Sequence, residues 1–316
     1  MDGVLVIDKP AGVTSHDVVA HVRRNLHERR VGHTGTLDPF ATGVLVVLVG
    51  RATRLAQFFS GAEKEYEAVI RFGYATDTGD LTGKPTSNAR EKAINYLAPS
   101  WSDHEIEMAL QSLSGEIEQV PPMYSAKKHG GRKLYELARR GEQIERKAVR
   151  VTVHTFEAAS RGGQLYKNNK DGTTDLVVHV ICSAGTYVRA LAESVGERLG
   201  VGAHLAELRR TRAGDFHISA AVSLEQLKNK VDEESLATVL IPSDAALRNM
   251  PFVRLSVTHA QRACHGMAIP LNEHSSGIPT EGENVIMRDN AGKFLAVGFY
   301  DAARKSLHPQ VVFAPE

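Results

Sequence analysis

The sequence predicts an α+β chain, with a mixed, mainly antiparallel central sheet, flanking helices and a small β-rich module at the C-terminal end. Three observations carry this. Strand-like segments outnumber the helices that could act as parallel crossovers. Several strands follow one another directly, as residues 149–156 and 176–182 do around the turn-forming Asn168-Asn-Lys-Asp-Gly172. Beyond residue 250 the apolar pattern breaks into short strands separated by turns.

In chain order, residues 4–7 form a short strand. Thr14 or Ser15 caps a helix to about Leu26, with Asp17 in its first turn. Residues 43–50 read as a buried strand, 53–60 as a helix and 66–72 as an alternating strand, followed by a polar turn region over 77–85. Ser102-Asp-His-Glu105 is a capping box opening a helix to about Leu113. Residues 133–140 form another helix stopped by Gly141, and a third runs from about Tyr187 to Leu199 and ends at Gly200. The tail holds a short helix at 258–265, a turn-rich stretch at 272–282 and strands near Val285, at 294–299 and at 310–313. A boundary near residue 250 divides the chain into 1–249 and 250–316.

The 316 residues include 38 Lys plus Arg against 37 Asp plus Glu, and 42% are hydrophobic, which excludes a disordered chain and allows a sizeable core. No apolar run approaches the roughly 20 residues of a membrane helix. The opening Met-Asp-Gly-Val-Leu-Val-Ile-Asp-Lys-Pro lacks the basic-then-apolar order of a signal peptide, so a cytoplasmic protein is expected. Cys182 and Cys264 read as reduced packing residues.

The near-balanced total hides clusters. Between residues 123 and 150, Lys127, Lys128, Arg132, Lys133, Arg139, Arg140, Arg146, Lys147 and Arg150 face only Glu136, Glu142 and Glu145. Arg23, Arg24, Arg29 and Arg30 form a second cluster and Arg209, Arg210 and Arg212 a third. One cluster is an ordinary solvated helix face; three together point to a polyanionic partner.

Residues 79–85 resemble a phosphate loop but have one residue too few between the glycines, and Pro85 stands where Ser or Thr must bind magnesium; they form a turn. His104-Glu105 lacks a second histidine for zinc, and no Cys-x-x-Cys, Gly-x-Ser-x-Gly or dinucleotide fingerprint is present. What remains is Gly32-His33-Thr34-Gly35-Thr36-Leu37-Asp38-Pro39-Phe40-Ala41-Thr42-Gly43, a glycine-rich loop leading into an apolar strand. Pro39 disfavours the α-region for Asp38, and a carboxylate so placed can serve as nucleophile or base. An Asp-Pro turn is the plain alternative.

This loop, together with Asp8-Lys9-Pro10-Ala11-Gly12-Val13-Thr14-Ser15, resembles the bacterial TruB family of tRNA pseudouridine synthases. The family's order continues through Lys64-Glu-Tyr66, Thr76-Asp-Thr-Gly79, Gln119-Val-Pro-Pro-Met-Tyr-Ser-Ala-Lys127, Tyr135-Glu-Leu-Ala-Arg-Arg-Gly141, Gly185-Thr-Tyr-Val-Arg189 and Gly202-Ala-His-Leu-Ala-Glu-Leu-Arg-Arg210, covering the chain to about residue 228. Phe40 stands where leucine is commoner in the family.

The resemblance implies the pseudouridine-synthase fold and a PUA-like RNA-binding module over 250–316. It implies isomerisation of the T-loop uridine at position 55 of tRNA, with no cofactor and no metal. It makes Asp38 the essential carboxylate, attacking the sugar C1′ or removing its C2′ proton, and Arg189 its partner. Tyr66 matches the family's catalytic tyrosine, which stacks on the base and is also proposed to move the C5 proton. The uridine must be flipped out of its loop to react; His33 matches the residue that fills the space it leaves, and Tyr187 and Leu208 match the uracil pocket. Lys9 is expected to support the loop or contact phosphate, and Lys127, Lys128, Arg132, Lys133, Arg209 and Arg210 to contact the T-arm backbone. The expected partner is the tRNA T stem-loop, bound by a monomer with no obligate protein partner and no membrane. Two other readings stand beside this: a tRNA-binding protein without turnover, and a hydrolase using Asp38 and His33, which lacks the paired carboxylates of a glycosidase.

Overall fold

The computed structural model describes residues 1–86, 101–159, 165–271 and 279–313, apart from residues 126, 139 and 143 and the side chains of Lys128, His129 and Lys133. Among these described residues ten strands form the main sheet. Its order is β1 (Gly3–Lys9), β3 (Thr42–Val49), β11 (Ala203–Ala213), β4 (Lys64–Phe72), β10 (Thr174–Cys182), β8 (Val149–Ala158) and β5 (Gly115–Gln119). Three short strands join it: β2 (Val31–His33) on β3, β9 (Tyr166–Asn168) on β10 and β12 (Phe216–His217) on β11. A separate hairpin pairs β6 (Lys128–His129) with β7 (Arg132–Lys133). The pairing of β11 with β3 is parallel and every other described pairing in the main sheet is antiparallel, so the sheet is mixed and mainly antiparallel.

Burial follows from what covers each face. Strands β1 and β3 are apolar almost throughout because both faces are covered. On one side lie the helices Ser15–Leu26 and Leu224–Asp232, which pack Val18, Val19, Val22 and Leu227 against Leu5, Ile7, Leu45 and Val47. Strand β10 alternates strictly: Leu176, Val178 and Val180 face the helices Asp103–Gln111 and Val188–Arg198. Its opposite face carries Asp175 and His179, paired with Arg71 and Glu65 across to β4.

The C-terminal residues make a five-stranded sheet in the order β13 (Phe252–Arg254), β15 (Asn284–Arg288), β16 (Phe294–Asp301), β17 (Ser306–Val312) and β14 (Ile269–Pro270). It has a core of its own around Val285, Met287 and Leu307. It also shares one with the main sheet, where Ile286, Val297, Val311 and Phe313 meet Val4, Val44, Val46 and Leu48.

The helix expected at 53–60 is a 3-10 turn, Gly50–Leu55, followed by a short α-helix, Ala56–Ser60. The helix expected at 133–140 spans only Leu134–Ala138. Part of the expected turn-rich stretch, residues 272–278, lies outside the described residues. Strands β5 and β11 and the helix Leu224–Asp232 were not assigned from sequence.

Strand β11 matters most. Its pairing with β4 shifts register between Leu205 and Glu207 and again between Arg210 and Arg212. Each extra residue reverses which side chains face inward. Ala203 and Leu205 pack on the helices, then Leu208 and Arg210 take over the inward positions. No single period runs through such a strand, and its arginines disguise it further.

Candidate active site

The Asp38 loop joins β2 to β3 and is tied down from several directions. Thr14 caps the helix Ser15–Leu26 through a capping box with Asp17. The next residue, Ser15, turns its hydroxyl inward: Oγ accepts from Leu37 N at 2.8 Å and donates to Leu37 O at 3.1 Å. Gly12 N donates to Pro39 O at 2.8 Å. Lys9 is fully buried, and its Nζ donates to the carbonyls of Pro10 at 2.9 Å, Val13 at 2.8 Å and Pro39 at 3.3 Å. The loop ends at Gly43, where φ is +99° and a Cβ would lie 2.2 Å from the Arg210 carbonyl oxygen. Only glycine fits there.

Arg189 meets Asp38 from the first turn of the helix Val188–Arg198. Its Nε lies 2.9 Å from Asp38 Oδ2 and its Nη2 3.3 Å from Oδ1, a fork against a carboxylate. The guanidinium is 4% exposed and its remaining donors are occupied: Nη2 reaches Tyr124 O at 2.8 Å and Nη1 reaches Thr78 O at 2.8 Å. Asp80 Oδ2 lies 3.7 Å from Nη1. The 77–85 turn is therefore part of the site, holding the arginine through a carbonyl and a second carboxylate. Burial pushes Asp38 above the ordinary aspartate value; Arg189 opposes the shift, Asp80 adds to it and Lys9 opposes it.

Beside this pair opens a cavity of about 260 Å³, lined among others by Asp38, Lys64, Tyr66, Tyr187, Leu208 and Arg210. Tyr66, on β4, is opposite Arg210 and next to the Leu208–Ala68 pair, so the bulge in β11 puts Leu208 and Arg210 on the same wall as Tyr66. Burial raises the Tyr66 phenol above its usual range, with Arg210 pulling the other way. Tyr187, just before the Arg189 helix, is gripped by the Gln119 side-chain amide, which accepts from Tyr187 N at 2.8 Å and donates to Tyr187 O at 3.1 Å.

The structure thus brings Asp38, Tyr66, Tyr187, Arg189 and Leu208 around one cavity. His33 stands half-buried on β2 and is not among the described lining residues. Of the two readings of Lys9, the contacts are those of loop support and not of a phosphate contact, and the phosphate contact expected of Arg210 is corrected. Lys9 is buried with its ammonium spent on carbonyls. Arg210 is 2% exposed, its Nε on Val44 O at 2.7 Å and its Nη2 on Gly35 O at 3.0 Å. The rest of the third basic cluster is neutralised within the sheet, Arg209 by Asp8 at 2.8 Å and Arg212 by Glu63 at 2.6 Å and Glu65 at 2.8 Å. Lys127 and Arg132 are exposed; the side chains of Lys128 and Lys133 lie outside the described residues. Sequence reasoning gave no role to Lys64, Asp80 or Gln119 and read Ser15 only as a helix-cap candidate, although all four lie in or beside the motifs that carry the resemblance.

Residues 23–188 match the TruB family pseudouridylate synthase N-terminal domain, and residues 189–248 match the tRNA pseudouridylate synthase B C-terminal domain. The chain is 46% identical over 268 residues to tRNA pseudouridine synthase B of Symbiobacterium thermophilum, covering 85% of this chain and 83% of the relative. It is 37% identical over 307 residues to the Bacillus pumilus enzyme of that name, covering 97% and 96%. Among solved structures, a chain in the crystal structure of a Cbf5-Nop10-Gar1 complex superposes with a TM-score of 0.72 at 27% identity, over 99% of this chain and 85% of that one. A chain in an H/ACA RNP bound to a substrate RNA containing 2′-deoxyuridine gives 0.71 at 25% identity, over 99% and 85%.

Proposed function

Because the chain belongs to the TruB family of pseudouridine synthases, we propose that it isomerises the T-loop uridine at position 55 of tRNA to pseudouridine, with Asp38 as the essential carboxylate and no cofactor. The observation that carries this reading is the Asp38–Arg189 fork in the lining of a cavity that Tyr66 and Leu208 also line. Arg189 orients the carboxylate and favours its ionised form. Tyr66 and Leu208 supply a flat aromatic and an aliphatic surface for a pyrimidine ring. Asp38 then attacks C1′ of the ribose or removes its C2′ proton, and uracil departs and turns; C5 bonds to C1′ as Asp38 leaves C1′ or a proton returns to C2′, and C5 gives up its hydrogen to solvent.

A cavity of this size admits the nucleotide only after it is flipped from its loop. The exposed Lys127, Arg132, Arg140, Lys147 and Arg150 supply a sequence-independent grip on the surrounding RNA backbone. In this reading residues 1–249 are the synthase domain, residues 250–316 are a PUA-like RNA-binding module, and a single cytoplasmic chain acts alone.

The deciding experiment is tritium release from C5-labelled uridine in an unmodified tRNA transcript, in metal-free buffer. Wild type is expected to release tritium and Asp38→Asn to release none while still binding the transcript. If wild type binds the transcript without releasing tritium, the protein is an RNA binder and the catalytic reading fails.

A further inference from the structure

Two buried cations in the cavity wall take no part in holding Asp38. Lys64 is 6% exposed and Arg210 2%. They converge over Gly35, where a Cβ would lie 3.6 Å from Arg210 Nη1 and 3.8 Å from Lys64 Cε. Lys64 Nζ donates to Ser60 O at 3.0 Å and to Ala62 O. An ammonium has three N–H groups, which leaves one for the cavity. Among the described residues neither cation joins an ion pair, and Asp38, the sole carboxylate of the described lining, is taken by Arg189. Burial and the neighbouring Arg210 charge bring Lys64 down to about 8. Buried positive charge without a counter-charge is unfavourable and is offset when negative charge arrives beside it.

The reaction proposed above creates such a charge inside this cavity. On one route an Asp38 oxygen bonds to C1′ as N1 leaves. On the other, Asp38 takes the C2′ proton, and the electrons of that bond form a C1′–C2′ double bond as N1 leaves. On both, the C1′–N1 bond breaks with its electron pair on the base, so uracil becomes an anion with charge spread over N1, O2 and O4. We propose that Lys64, backed by Arg210, is a further catalytic residue, stabilising the detached uracil anion while it turns to present C5. The inference rests on the synthase reading of this site.

Position selects the base rather than a phosphate. Lys64 is two residues from Tyr66 on the same face of β4, and Arg210 is directly opposite Tyr66. Both cations therefore share a wall with the two surfaces that fit a pyrimidine ring, while the phosphates of a flipped nucleotide remain at the mouth. Fixed donors aimed at developing charge in a water-poor site are a large source of rate enhancement.

The test compares transcripts carrying uridine or 5-fluorouridine at the target position, since fluorine makes uracil a better leaving group that needs less stabilisation. Lys64→Gln keeps N–H donors for the Ser60 and Ala62 carbonyls while removing the charge, and Lys64→Arg keeps the charge. Single-turnover loss of the target nucleoside is followed in nuclease digests, alongside RNA affinity. Lys64→Gln is expected to slow the uridine substrate on the order of 100-fold, to slow the fluorinated one far less and to leave affinity unchanged, with Lys64→Arg recovering much of the rate. The comparison of two substrates in one variant cancels any loss of folded protein. Equal slowing of both substrates, or weakened RNA binding in place of slowed chemistry, overturns the inference while leaving the synthase reading intact. Failure of wild type to convert either substrate overturns that reading and the inference with it.

Discussion

At Asp38 two influences oppose each other. Burial favours the neutral acid, with Asp80 adding to it, while Arg189 favours the carboxylate. Both routes need the carboxylate, so activity should fall on acidification at a pH above the ordinary aspartate value of 3.8. Arg189→Gln removes the main force holding the proton off, and the acid limb of the single-turnover rate should move to higher pH while the plateau drops; an unmoved limb would assign it to another group. A different effect is expected at Gln119, which touches no reacting atom in this reading and positions Tyr187. Gln119→Leu leaves the partly buried Tyr187 N–H unpaired, at about 1–3 kcal/mol, while Tyr187 O keeps its bonds from Ala190 N and Leu191 N. Thermal unfolding should report the loss, and the rate should fall more than RNA affinity.

At the level of elements, the parallel contact between β3 and β11 depends on Gly43. Gly43→Ala combines a positive φ with a clash against the Arg210 main chain, and should cost at least about 2 kcal/mol in denaturant unfolding. The same element shows what the sequence disclosed and what it withheld. Strands β1 and β3 were legible as apolar runs, and the helix Ser15–Leu26 through a Thr14 or Ser15 cap with Asp17 in its first turn, because those signals are local. Strand β11 was not, since its two bulges break the alternation and its arginines find carboxylates or carbonyls only once β3 and β4 are beside it. The site divides in the same way. Asp38, Tyr66 and Arg189 were found through motif resemblance, whereas the tertiary contacts of Asp80 and Gln119 leave no spacing to read. Arg210 was misplaced on the surface, and Lys9 was left between loop support and phosphate contact, because composition cannot distinguish a lysine or arginine facing water from one buried among carbonyls.

Across the whole molecule, charge and core make separate demands. The exposed bases between Lys127 and Arg150 should make RNA binding steeply salt-dependent, and Lys147→Gln should reduce the slope of log affinity against log salt by about 1 if that side chain meets a phosphate. The C-terminal sheet is more than an attachment, because Ile286, Val297, Val311 and Phe313 complete a core begun by Val4, Val44 and Leu48. Arg54 Nη1 also donates to Val312 O at 2.8 Å. A chain truncated after residue 249 should lose solubility and unfold well below the intact protein in calorimetry, whereas an independent module would leave the transition unchanged.

The position of β11 has a consequence for biosynthesis. It lies between β3 and β4 in space yet leaves the ribosome after both, so the nascent chain holds two unpaired strand edges until more than half of the protein has been made. Arrest of translation before Ala203 leaves a chain without the strand that the Arg189 helix packs on and with sticky edges exposed, and that interval is where chaperone engagement and misassembly should concentrate.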